Sequence, residues 1–559
     1  MASGTLSRRE FLKLVGAGIA VGVLGKFIDF SIFTGQKSGS FREASAQQAG
    51  TWALGPRATI TPIHLVILST GKVLYLAGSG YHQSNKDGPF KAELMDPETG
   101  AKVQYSFPVD FFCIGHNHLA NGNVLLTGGT KRYDVDNPEG LFEGGNYAYL
   151  FDVYTSTFTR LPDIRHGRWY PTQTVLPDGR VVVVGGLDEY GHLNALVEVF
   201  DPATQTFSVM YDPTPNRTID GSAAQANGQG QWCAGTGSPM PGAGTVCYGN
   251  ATNQGNAPPL TLYPRMHLMP SGLIATVGSD MPVYLLNPAT GHWGRVGQTI
   301  YPFRDYGTSF LLPLQNNAAE RGRIIIVGGA QDGVTPATTS CEMIDFNAGT
   351  NTAPVIRAAG SLNIARHYPI PITLPDGKLV VFAGTTGAIN TNYVLTPEVY
   401  DPASDTWTRL ADARAGRSYH GDGVLLPDGR VFISSSTPDR VNWETRSEIF
   451  SPGYMFATRP TISGNVSTAP YGGTIRIPTP DAADITSVSL VRLASSTHHF
   501  DPNMRLVWLP VTTKESAAVL VAAPINANIA PPGPYYIHVL NSSGIPSAAK
   551  VINIPGTIC

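Results

Sequence analysis

A chain of 559 residues is too long for one ordinary compact domain, unless it is a large closed repeat array with something appended. Only 14% of its residues are charged, while 61 are Gly and 44 are Pro, the mixture that many short strands and tight turns require. A formal net charge of −3 leaves no broad basic face for phosphate backbones, which argues against nucleic acid as a partner.

The N-terminus reads Ser7-Arg8-Arg9-Glu10-Phe11-Leu12-Lys13, then the apolar run Leu14 to Gly25, then the small-residue site Ala44-Ser45-Ala46. That order is a twin-arginine export signal over residues 1–46, predicting a periplasmic or extracellular protein, with the signal either cleaved near Ala46 or kept as an anchor. The apolar run is short for a membrane span and is followed by Lys26 and Asp29. In an oxidising compartment, Cys233 and Cys247 are expected to form a disulfide closing a Gly-, Asn- and Pro-rich insertion. Cys113 precedes a strand inside a repeat and needs either burial or chemistry to explain it.

One pattern then recurs: a Gly-containing turn, a run of β-formers ending in small residues, a variable loop, and an apolar strand closed by Asp-Pro or a relative of it. LPDGRVVVVGG with VEVFDPATQTF and LPDGKLVVFAG with PEVYDPASDTW are the best copies; further turns fall at Thr70-Gly71, Asn121-Gly122, Ser271-Gly272, Arg321-Gly322 and Asp428-Gly429. Seven turns at roughly fifty-residue spacing predict a seven-bladed kelch-type β-propeller over residues 50–455. After Ser451-Pro452, residues 456–559 are rich in Thr, Ser, Ile and Val with further turn signals, predicting an immunoglobulin-like β-sandwich. The expected fold class is all-β throughout.

The turns also supply a ruler. Eight residues before the position preceding the turn Gly lie Cys113, Tyr170, Tyr263, Tyr368 and His420, with Tyr419 one step earlier. Equivalent positions of successive blades point at one end of the central axis, so these side chains should converge on one mouth. Tyr263 and Tyr368 read equally as inter-blade packing or as part of a site. A thiol, two phenols and an imidazole on one ring make poor generic packing and good metal chemistry. In the C-terminal region, Ser495-Ser496-Thr497-His498-His499-Phe500 places two histidines where a hairpin tip could reach back to the axis.

Four stretches resemble the copper-radical oxidases, the galactose oxidase and glyoxal oxidase group. They are Asp110-Phe111-Phe112-Cys113, Arg168-Trp169-Tyr170-Pro171, Arg417-Ser418-Tyr419-His420 and Ser496-Thr497-His498, occurring in that order on repeats counted independently. The resemblance implies one copper ion bound by Tyr170, Tyr419, His420 and His498. It also implies a thioether between Cys113 and the Tyr170 ring, with a stable radical on the modified phenol. Tyr419 is then the axial ligand and the base for a substrate hydroxyl, the substrate carbon gives hydrogen to Tyr170, and O2 leaves as hydrogen peroxide. The motif favours His498 over His499; since a strand alternates its side chains, only one of the two is expected to face the metal, and His499 is the other candidate.

The chain departs from the pattern in one place. Galactose oxidase stacks a tryptophan on the thioether from the loop after the corresponding Gly-Gly, whereas here Gly185-Gly186 leads into Leu187-Asp188-Glu189-Tyr190. Tyr190 or His192 is expected to cover the site instead, and Trp169 reads as blade packing. The Arg-Trp-Tyr-Pro context resembles glyoxal oxidase, which favours small aldehydes or simple primary alcohols over galactose. Asp305, Tyr306, His367, Tyr368 and Tyr190 are candidates for the substrate pocket, and a monomer is expected. The competing reading is a non-catalytic secreted kelch propeller that binds carbohydrate or protein; the coincidence of Cys113 with Tyr170 weighs against it.

Overall fold

The computed structural model describes residues 49–555, apart from 139, 213–230, 234–246, 251–259, 261, 279–281, 302–303, 331–334, 388–390 and 438–442. The export signal expected over residues 1–46 lies outside the described residues. No described helix is long and apolar enough to cross a membrane. The strands Gln231–Cys233 and Cys247–Asn250 pair with Cys233 opposite Cys247, while their side chains, and with them the expected disulfide, lie outside the described residues.

From Gln48 onward the chain forms one compact unit. Its described part is all-β, with only short 3-10 turns between strands. Among the described residues, seven sheets repeat one plan of four antiparallel strands. In the third, Thr172–Val175, Val181–Val184, Val197–Asp201 and Thr206–Tyr211 follow one another outward. The first two are wholly buried and the last is largely exposed. Valine-rich inner strands bury both faces between neighbouring sheets, and the outer strand turns polar where it meets water. In the last of the seven, Asp422–Leu425, Val431–Ser434 and Glu448–Ser451 are completed by Thr51–Leu54 from the other end of the chain, with Thr51 opposite Ser451.

The repeat ends in Gly-Gly for a steric reason. At Gly128 (φ +82°) a Cβ would stand 2.2 Å from the Arg168 carbonyl, and at Gly129 (φ +118°) 2.3 Å from that of Asp110. Only glycine lets the two loops that enter the mouth approach the strand this closely.

The C-terminal residues form two further sheets. One runs Leu314–Gln315, Leu506–Leu509, Ile485–Arg492, Gly533–Asn541, Lys550–Ile554, and the other Thr474–Pro478, Ala518–Ala522, Val511–Lys514. The first strand of the larger sheet is borrowed from the fifth repeat and pairs in parallel, Leu314 opposite Val507. One hydrophobic core joins the two regions, with Leu311, Ile324 and Ile344 packed in the same cluster as Leu490, Val507 and Ile537.

Candidate metal centre

The inward position of six of the seven repeats has a backbone signature. Cys113, Tyr170, Tyr263, Tyr306, Tyr368 and His420 all adopt positive φ, between +45° and +72°. Non-glycine residues avoid this region, and its recurrence at one repeat position marks a place where surrounding structure enforces strain. The main chain links them across sheets: Tyr170 N–H donates to the Cys113 carbonyl at 2.9 Å, Tyr263 N–H to that of Tyr170 at 2.9 Å, and Tyr368 N–H to that of Tyr306 at 2.7 Å. The fifth repeat escapes the eight-residue ruler because its hairpin carries extra chain, including the strand lent to the C-terminal sheet. Tyr306 fills its inward position.

What holds these residues in place is a buried ion pair in each of four repeats. Arg168 lies 2.9 Å from Glu198, Arg304 2.9 Å from Glu342, Arg366 2.6 Å from Glu398 and Arg417 3.3 Å from Glu448. Arg168, Arg304 and Arg366 each precede the inward tyrosine by two positions, and Arg417 precedes Tyr419 by two and the inward His420 by three. Arg168 also donates to the carbonyls of Gly185 and Leu196, both at 2.8 Å. The guanidinium thus ties the loop carrying Tyr170 to the strand ends beneath it, with its desolvated charge fully hydrogen-bonded.

Into this ring comes the hairpin tip. Thr497 and Phe500 exchange backbone hydrogen bonds, both 2.9 Å, leaving His498 (φ +46°) and His499 (φ +67°) as the two residues of the turn. The alternation expected of a strand therefore does not apply; a two-residue turn with both φ positive separates the two rings instead. Asp422 anchors the tip, accepting from the Ser496 hydroxyl at 3.0 Å and from the backbone N–H groups of His498 and His499.

Cys113 Sγ, His420 and His498 offer ligand atoms all within 4.8 Å of one another. His498 Nε2 stands 3.6 Å from Cys113 Sγ. The Tyr170 and Tyr419 hydroxyls are in hydrogen-bond contact. The His498 ring centroid lies 4.5 Å from that of His420, 4.6 Å from Tyr170, 4.6 Å from Tyr263 and 5.4 Å from Tyr419. His499 turns the other way, 5.1 Å from Tyr368, and lies buried with both nitrogens unpartnered. Tyr306 packs 4.9 Å from Tyr368, and both lie beside Tyr419, at 6.4 and 5.8 Å. His367 donates from Nε2 to the Thr335 carbonyl, 2.8 Å away, with its ring 5.7 Å from Tyr368; Asp305 bridges to Ala330.

The ring that lies on Tyr170 is Trp169, centroids 4.1 Å apart, stacked in turn on Phe142 at 4.2 Å. Trp169 packs, as its sequence context suggested, and it also covers the phenol, a place for which Tyr190 or His192 had been expected. Tyr190 is 54% exposed on its turn.

The donor set fits a small cation. His420 fixes Nδ1 on the Thr437 carbonyl at 3.1 Å, leaving a buried Nε2 with no partner. Burial pushes the His420 imidazole down to about 3, and burial with neighbouring histidines holds His498 well below its usual range, so both are neutral and present lone pairs. Burial, and then the Cys113 thiol, raises the Tyr419 phenol. Two imidazoles and two phenols in one largely buried cluster are a nitrogen and oxygen set that suits Cu(II), with the Cys113 thiol beside them.

Comparison with known proteins agrees with this geometry. Residues 459–554 match the model of the galactose oxidase-like early set domain, and residues 368–414 the kelch motif. A galactose oxidase of Gibberella zeae is 26% identical over 82% of this chain. The chain is similar to the galactose oxidases and to plant aldehyde oxidases. The aldehyde oxidase GLOX of Vitis pseudoreticulata is 27% identical, covering 91% of this chain and 98% of its own length. The chain spans 63% of the length of the Gibberella zeae protein. A solved fungal alcohol oxidase in complex with copper shares the fold, with a TM-score of 0.73 at 19% identity over 91% of this chain and all of its own.

Several participants lay outside the sequence reading. Thr497 was visible only as part of a motif, and Asp422, His64 and His116 carried no signal, because their roles depend on pairings with the hairpin tip across 74, 433 and 379 positions of sequence.

Proposed function

We propose that this chain is an exported copper-radical oxidase that converts primary alcohols to aldehydes, or aldehydes to carboxylic acids, while reducing O2 to H2O2. In this reading it is a monomer, the sheets of residues 50–455 form a seven-bladed kelch propeller and residues 456–559 an immunoglobulin-like sandwich. The observation that carries the function is the convergence of Cys113, Tyr170, Tyr419, His420 and His498, from three repeats and a distant hairpin, on one buried cluster. The similarity to oxidases that act on galactose and on aldehydes supports it.

Tyr170, Tyr419, His420 and His498 would hold the copper. When bound, copper supplies one of the two oxidising equivalents that the reaction needs, along with a positive charge at the centre of the phenols. Tyr419 takes the substrate hydroxyl proton on its phenolic oxygen; burial alone keeps that phenol protonated, and an adjacent cation is what lowers it to the range of a base. Tyr170, joined to Cys113 as a thioether, carries the second equivalent as a radical and takes a hydrogen atom from the substrate carbon. The alcohol thus loses two hydrogens, which O2 accepts to leave as H2O2; an aldehyde reacts as its hydrate and yields the acid. Trp169 shields the Tyr170 ring from water. Tyr306, Tyr368, His367 and Asp305 form the substrate side of the mouth, and small aldehydes or simple primary alcohols are the expected class.

Peptide mass spectrometry after aerobic copper loading tests the reading. A Cys113–Tyr170 cross-linked peptide lighter by two hydrogens, followed by peroxide release with an alcohol or aldehyde, is the expected result. Copper bound in air without the cross-link would instead favour a non-catalytic kelch propeller that binds carbohydrate or protein.

A further inference from the structure

The hairpin tip is tied to a histidine in the first repeat. His64 opens the inner strand His64–Ile67, which pairs antiparallel with Ser495–Thr497 so that His64 lies opposite Thr497. Thr497 Oγ1 is hydrogen-bonded on one side to His498 Nδ1 at 2.7 Å and on the other to His64 Nδ1 at 2.6 Å. The remaining nitrogen of His498 is the one that faces Cys113. His64 and Thr497 are secluded from water, 0% and 3% exposed, while His498 is partly buried.

We propose that His64 is a positioning residue which, through the Thr497 hydroxyl, holds His498 with its proton on Nδ1 and its Nε2 lone pair turned to the centre. The protons can be counted. A hydroxyl has one proton, so between two imidazoles Thr497 accepts from one and donates to the other. In the proposed arrangement His64 accepts at Nδ1 and so carries its own proton on Nε2. His498 must then donate from Nδ1. The Tyr263 hydroxyl, beside Thr497, gives its proton to the Ile114 carbonyl at 2.7 Å and is left an acceptor; a Thr497 proton given to it would leave both histidines donating, His498 again from Nδ1.

A second histidine backs the first. Ser495 Oγ donates to the His116 carbonyl at 3.2 Å and so accepts from His116 Nδ1 at 2.7 Å. The His116 ring, thus fixed, packs edge-on against His64 with centroids 4.9 Å apart. It blocks rotation of the His64 ring. A metal-binding histidine whose other N–H is held in this way keeps its tautomer and orientation before the ion arrives.

The inference rests on the reading of His498 as a copper ligand, and its test separates the two. Long-range 1H–15N spectra of the copper-free, 15N-histidine-labelled protein report the His498 tautomer directly. Competition titration and Cu(II) electron paramagnetic resonance report the metal. In the wild type His498 should be protonated at Nδ1. His64→Asn, whose amide reaches the place of Nδ1, should preserve that tautomer and leave Cu(II) affinity within about threefold of wild type. His64→Ala and His64→Gln should give mixed tautomers, an altered Cu(II) spectrum and affinity reduced about 10- to 100-fold. Should the alanine variant not fold, the Asn and Gln variants, equal in chemistry and different in reach, carry the comparison alone. A wild-type His498 protonated at Nε2, or Asn and Gln variants that behave alike, would overturn the proposal. If tautomers follow His64 while the protein takes up no copper, the positioning stands and the copper reading falls.

Discussion

Two arcs of one ring occupy equal places in their repeats and do different things. Tyr170 and His420, with Cys113 between them and the hairpin tip, present donors to a common point. Tyr306 and Tyr368 share their left-handed backbone, and Arg304 and Arg366 repeat the ion pair of Arg168, yet the two rings pack on each other, and Tyr368 on His499. The repeat supplies position; Tyr170, Tyr306 and Tyr368 are the same residue, so the neighbour decides what that position does, His498 on one arc and His499 on the other. Strain is spent equally on both arcs, so left-handed backbone alone does not distinguish a reactive residue from its packing counterpart.

The sharpest division between the arcs is expected from Cys113→Ser. It should retain copper and lose turnover on the order of 10⁴-fold, about 5.5 kcal/mol at 1.36 kcal/mol per decade, measured as peroxide release. Equal behaviour is expected one layer down. Arg168→Met and Arg366→Met each strand a buried glutamate and should cost about 3–5 kcal/mol in thermal or denaturant unfolding. A large difference between the two would show that one arc is held by something other than its ion pair. Next in size, His498→Ala should weaken Cu(II) binding by more than about 100-fold, exceeding what loss of a supporting hydrogen bond costs, while His499→Ala stays within a few-fold; reversal of the two would move the ligand to the other arc. Smallest of all, Tyr306→Phe and Tyr368→Phe should change KM by less than about tenfold and leave kcat and copper affinity near wild type. A collapse of kcat in either would make that arc part of the reaction.

Much of this was legible from periodicity. The turn glycines recur with the sheets, and a count of eight from them reached Cys113, Tyr170, Tyr263, Tyr368 and His420, all of which the fold brings to one mouth in the same conformation. The count works because hairpin length is fixed where a tight turn joins two short strands. It fails at Tyr306, where the hairpin is lengthened by a strand that belongs to another sheet. Trp169 was read correctly as packing, but its second face, on Tyr170, depends on rotamers that no pattern of types encodes. His64 was invisible for a different reason. Its meaning lies in its register against Thr497, a pairing across 433 positions of sequence that neither segment announces alone.

The strand Thr51–Leu54 seals the last sheet by pairing with Glu448–Ser451. During synthesis this seal waits for almost four hundred further residues to leave the ribosome, and until then six sheets can assemble while the seventh has no outer partner and the first arrivals remain an open edge. This long-range pairing is expected to make ring closure the slow step of folding, late in the life of the nascent chain. A tag or deletion that disturbs residues 51–54 should be felt first as aggregation of a nearly complete protein, well before any change at the cluster of Cys113, Tyr170, Tyr419, His420 and His498.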